Sequence, residues 1–86
     1  MFENKVKINN KTGLHARPAS DLTNLCQKFE SDIKIITEEG EINPKSIISI
    51  LAGGVYQGME VTLLVEGADE KEAGEAIVEL IRNLTD

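Results

Sequence analysis

The chain has 86 residues, a hydrophobic fraction of 41% and a formal net charge of -6 at pH 7. That length suits a single domain, 1–86, with one small core, and the acidic balance excludes general nucleic-acid binding, which needs a basic footprint. One cysteine cannot form an internal bridge, MFENKVKINN carries no secretion signal, and no apolar run reaches membrane length, so a cytoplasmic protein without membrane insertion is expected.

Phe2, Val6 and Ile8 share one parity and predict a half-buried strand with a gap at Asn4. The period then changes. Ala16, Ala19, Leu22, Leu25, Cys26 and Phe29 recur every three or four residues, one stripe of a helix. Ile33 and Ile35 alternate again, Glu38-Glu39-Gly40 reads as a turn, and a short strand around Ile42 stops at Pro44. Ser46 suits the N-cap of a short helix over Ile47 to Ala52, ended by Gly53 and Gly54. Val61, Leu63 and Val65 form another strand, with Leu64 on its opposite face. Asp69 and Glu72 have capping-box spacing ahead of a stripe of Ala73, Ala76, Ile77, Leu80, Ile81 and Leu84. The order β-α-β-β-α-β-α predicts an α+β fold with helices on one side of a mostly antiparallel sheet. The pattern does not set the strand order.

The segment GLHARPAS, Gly13 to Ser20, holds the only histidine. Pro18 belongs in a first helical turn, which puts His15 at the helix start beside amides that lack intrahelical acceptors. A phosphate there would meet the N–H groups of Ala16 and Arg17, the positive end of the helix dipole, and the Arg17 guanidinium. An imidazole is a competent nucleophile near neutral pH. These residues suit a histidine that accepts a phosphoryl group and passes it on. A helix-start histidine can equally be a cap or a solvated surface group.

Other chemistries have less support. One His and one Cys leave no metal-ligand set, and Cys26 lies on a buried stripe without a base. The glycines from Gly54 to Gly58 lack the lysine of a phosphate loop, since Met59 follows them. Glu38-Glu39 and Asp69-Glu70 read as solvated turn and cap carboxylates. Ile47, Ile48 and Leu51 cannot all be buried by so short a helix, which predicts an exposed apolar docking patch.

NKTGLHARPAS resembles the active-site segment of the HPr family, the histidine-containing phosphocarriers of the bacterial sugar phosphotransferase system. NPKSIISILAGGVYQG, Asn43 to Gly58, is similar to that family's second signature, and VEGADEKEA, Val65 to Ala73, to its last strand-to-helix junction. The resemblance implies an open-faced β-sandwich, a four-stranded antiparallel sheet covered on one face by three helices. It implies that phospho-Enzyme I phosphorylates Nδ1 of His15, with Arg17 as the close partner of the phosphate. His15 would then donate to IIA domains of sugar permeases. The protein would be a monomeric carrier, a protein substrate without metal or cofactor, and not an enzyme. Ile47, Ile48, Leu51 and Ser20 would form its docking surface. Ser46, also an ordinary N-cap, matches a position that a Ser kinase/phosphorylase modifies in one branch, where the product serves a catabolite-control transcription factor as corepressor. The alternative is a non-transferring regulatory module acting through Ser46 and the short helix. Ser49, Ala52 and Gly53 depart from the family pattern, which implies a looser end of the short helix. Ile48, and Asn24 and Gln27 on the first helix, depart as well, and together these changes imply altered partner affinities.

Overall fold

The computed structural model describes residues 1–85. The elements are β1 (Phe2–Lys7), α1 (Ala16–Cys26), β2 (Asp32–Thr37), β3 (Gly40–Ile42), α2 (Ile47–Ala52), β4 (Glu60–Glu66) and α3 (Glu70–Arg82). This is the order given by the periodicities.

The strands form one sheet in the order β1-β4-β2-β3, every neighbouring pair antiparallel. The register explains the alternation. Val65 lies between Phe2 and Ile33, Leu63 between Asn4 and Ile35, and Ile42 beside Ile35. Opposed residues share a face, so the apolar positions of the four strands line one side. Val6, Ile33, Ile35, Ile42, Val61, Leu63 and Val65 are all buried there. They join Ala19, Leu22 and Cys26 of α1, Ile50 of α2 and Ala73, Ile77 and Ile81 of α3 in a single core. The helices therefore cover one face. On the other, Lys5 and Lys34 are exposed, and Thr62 and Leu64 only half-buried.

Gly74 sets how closely α3 approaches β1. A Cβ on this residue would fall 2.5 Å from the Phe2 ring at Cε1, so glycine's weak helix propensity is offset by contact. No helix among the described residues is long and apolar enough to cross a membrane.

Two local expectations change. Helix α1 ends at Cys26, and Phe29 packs against the core from the turn that follows, held by its N–H donating to the Cys26 carbonyl at 3.2 Å. Asp69 is the N-cap of α3, yet its side chain makes no capping hydrogen bond. Its carboxylate instead accepts the N–H groups of Glu30 and Ser31, each at 3.0 Å, and the Ser31 hydroxyl. The donors lie 39 and 38 residues away. Tertiary approach has replaced the local box with a clip that ties the α1–β2 loop to the head of α3. The Ser31 hydroxyl, then the Glu30 N–H, hold the Asp69 carboxyl below its ordinary range. The first turn of α3 is anchored similarly. Glu70 accepts the Gly67 N–H at 3.3 Å and pairs with the Met1 ammonium at 2.7 Å.

Candidate functional site

The chain reaches α1 through a tight turn over residues 10–13. The Gly13 N–H donates to the Asn10 carbonyl at 3.2 Å, and the Leu14 N–H donates to the Val55 carbonyl at 3.2 Å. Gly13 has φ 63, and a Cβ there would crowd the Val55 carbonyl oxygen and lie 2.8 Å from Tyr56 Cα. Both the left-handed backbone and the close approach require glycine. Leu14, fully buried, plugs the turn into the core.

His15 follows as the N-cap of α1, with extended backbone at φ -121 and ψ 164. Its side chain is exposed and makes no capping bond. Ala16 has φ 49, the one non-glycine positive φ among the described residues. An L-residue in that region costs about 1–2 kcal/mol and persists only where its surroundings impose it. Pro18 is buried within the first turn, which also holds no acidic residue. Since proline has no N–H, the donors left at this helix start after the N-cap itself are those of Ala16 and Arg17. The Arg17 side chain is 83% exposed, with Nε 4.0 Å from Asp21 Oδ2, an ion pair too long and too solvated to hold the guanidinium in place. Ser20 sits one turn further on and is half-buried.

Helix α2 runs antiparallel to α1. Gln27 Nε2 donates to the Lys45 carbonyl at 3.0 Å at one end, and Leu14 meets Val55 at the other. His15 therefore lies toward the C-terminal end of α2 and Ser46 caps the distant end, a helix length of roughly 9 Å away. Ser46 Oγ accepts the Ser49 N–H at 3.3 Å. On the solvent side Ile47 is 39% exposed, Ile48 76% and Leu51 42%, while Ile50 is buried. The apolar patch thus occupies the surface between His15 and Ser46. Tyr56, 62% exposed, brings its Cα against Gly13 across the turn. The sequence pattern marks no role for Tyr56, which follows shortly after paired glycines.

The family profile described as "PTS HPr component phosphorylation site" matches residues 2–83. The phosphocarrier protein HPr of Buchnera aphidicola is 45% identical over 73 residues, 85% of this chain and 86% of that protein. Among solved structures, HPr of Thermoanaerobacter tengcongensis superposes with a TM-score of 0.92 at 46% identity, covering 95% of this chain and 92% of that one. Bacillus subtilis Crh, described as a catabolite repression protein that forms a swapped dimer, gives 0.78 at 35% identity over 100% and 99%. This chain belongs to the HPr family. It is a phosphoryl carrier of the sugar phosphotransferase system, standing between Enzyme I and IIA domains, and is not itself a catalyst.

In this HPr chain the departures at the end of α2 have physical consequences. Gly53 leaves room for Ile42, whose Cγ1 would lie 2.7 Å from an added Cβ, so β3 fills the space beside the helix end. Ser49 is used structurally, its Oγ accepting the Asn43 N–H at 2.9 Å. Burial pushes the Cys26 thiol up to about 12, which leaves almost no thiolate near neutral pH.

Proposed function

We propose that His15 is the residue that carries the phosphoryl group, with Arg17 and the amides of Ala16 and Arg17 receiving its charge. The observation that supports this most is the head of α1: an exposed imidazole, a strained alanine behind it, and no side-chain anion in the first turn. The lone pair of Nδ1, the ring nitrogen nearer the backbone, attacks phosphorus as the bond to the Enzyme I donor breaks. The N–P bond so formed holds three phosphoryl oxygens over the helix start, where dipole and amides favour negative charge. Arg17 is exposed and lightly held, free to swing from Asp21 to the phosphate and back. Transfer to a IIA domain is the same displacement in reverse.

Docking falls to Ile47, Ile48 and Leu51 with Ser20, an apolar surface flanking the histidine. A cytoplasmic location suits a carrier moving between these partners. Ser46 is the regulatory position in this reading. Phosphate there would cap α2 more strongly than the hydroxyl does, and would set about two negative charges beside Ile47. That charge opposes docking of an acidic partner and offers a catabolite-control transcription factor a recognition group. A Ser kinase/phosphorylase would supply it. Ser46→Asp is expected to slow phosphorylation by Enzyme I several-fold through KM; an unchanged rate would remove this role.

Incubation with phosphoenolpyruvate and Enzyme I tests the carrier assignment. The expected product has one added phosphoryl group, stable in alkali, labile in acid and absent from His15→Ala. A product that survives in His15→Ala would overturn the assignment.

A further inference from the structure

Asn10 lies outside every strand and helix, yet it is only 4% exposed. Its Nδ2 donates to the Gly13 carbonyl at 2.8 Å and to Thr12 Oγ1 at 3.4 Å. Its Oδ1 is buried with no hydrogen-bond partner. An unpaired buried acceptor costs on the order of 1–3 kcal/mol, a cost that an apolar side chain would not incur. Packing alone does not account for an amide at this place. The donor half is what the turn uses, and its orientation is unique, because a flipped amide would set Oδ1 against the Gly13 carbonyl.

The peptide unit joining Gly13 to Leu14 is consequently held at both ends. Its oxygen accepts from Asn10, and its N–H donates to Val55. Two residues later comes Ala16 at φ 49. A left-handed alanine stays in place only if the chain is fixed on either side of it. On the helix side this is done by buried Pro18 and Ala19. On the other side it is done by the Gly13–Leu14 peptide.

We infer that Asn10 is a positioning residue for phosphoryl transfer: its carboxamide locks the Gly13–Leu14 peptide against Val55, which keeps Ala16 left-handed and the first amides of α1 beside the imidazole. This rests on the reading of His15 as the phosphoryl acceptor. Asn10 touches neither phosphate nor partner, and acts only through the backbone.

The test compares the full-length wild type with Asn10→Ala and Asn10→Asp. The aspartate keeps the size of the side chain and removes the donor, so it remains informative if the alanine variant folds poorly. Initial rates of phosphorylation by phosphoenolpyruvate and Enzyme I are measured against carrier concentration. The three-bond HN–Hα coupling of Ala16 is measured by NMR on the unphosphorylated chain. The expected result is a kcat lower by roughly tenfold, the scale of a modest misalignment of reacting groups. KM should stay within about twofold, since the docking residues of α2 are untouched. The Ala16 coupling should move away from its wild-type value in the same variants. A folded Asn10→Asp protein with wild-type kcat and wild-type Ala16 coupling would overturn the inference, as would a change confined to KM. Failure of the wild type to accept phosphate at all would instead overturn the His15 reading beneath it.

Discussion

The two long helices begin in opposite ways. Helix α3 starts among its own carboxylates: Asp69 at the N-cap, with Glu70 and Glu72 in the first turn. Asp69 is already engaged with Glu30 and Ser31, and Glu70 with Gly67 and Met1. Helix α1 starts with a histidine, an alanine under backbone strain and an arginine, with no acidic residue in the turn. Both starts present the same positive end of a helix dipole. One meets that field with built-in anions and so gains a fixed junction between loop and helix. The other meets it with an exposed imidazole, the group proposed to take on an anion and give it up. On that proposal, a helix start serves as a joint or as a transfer site according to whether its negative charge is permanent.

Making α1 resemble α3 should therefore destroy transfer without harming the fold. Arg17→Glu places a carboxylate in the first turn, where it favours the helix by about 0.3–1 kcal/mol, yet repels the arriving phosphoryl group. Phosphorylation by Enzyme I should fall by about 10²-fold, the scale of losing one charge-stabilising group and setting a like charge in its place. The thermal midpoint should hold or rise. A variant that transfers normally would show that the absence of an anion at α1 has no functional meaning.

Weakening the α3 junction should have the converse and smaller effect. Asp69→Asn keeps one acceptor and loses the other, so the thermal midpoint at neutral pH should drop while phosphoryl transfer stays near wild type. The pH dependence has a definite sign. The Ser31 hydroxyl and the Glu30 N–H lower the folded Asp69 pKa, and the Met1 ammonium and Gly67 N–H lower that of Glu70. Such groups stabilise fully above the ordinary carboxylate values of about 3.9 and 4.3, and the contribution is lost as pH falls through the lower folded values. Melting curves of wild type and Asp69→Asn should accordingly converge in acid. A gap that stays constant down to pH 2 would contradict the clip.

Most of the architecture could be read from periodicity, because each strand buries one face and each long helix one stripe. Ile33, Ile35, Leu63 and Val65 alternate for the plain reason that they line the covered side of the sheet. The order β1-β4-β2-β3 could not be read, since it depends on pairings between distant segments that leave no local mark. Asp69 shows the same limit in one residue. Its spacing to Glu72 signals a capping box, but whether a carboxylate bonds its own helix or a loop 38 residues away is decided by tertiary approach. At the site, His15, Arg17 and Pro18 announce a helix start through their own chemistry. Ala16 announces nothing, because alanine gives no hint of a positive φ imposed by its neighbours. Asn10 and Tyr56 are equally silent: one bonds the turn from beneath and the other's backbone lies across it.

The most direct measurement follows backbone amides by ¹H–¹⁵N NMR before and after phosphorylation with phosphoenolpyruvate and Enzyme I. If the head of α1 receives the phosphoryl charge, the amides of Ala16 and Arg17 shift downfield most, while those from Asp69 to Glu72 stay still. Shifts centred on any other helix start, with Ala16 and Arg17 unmoved, would contradict the account.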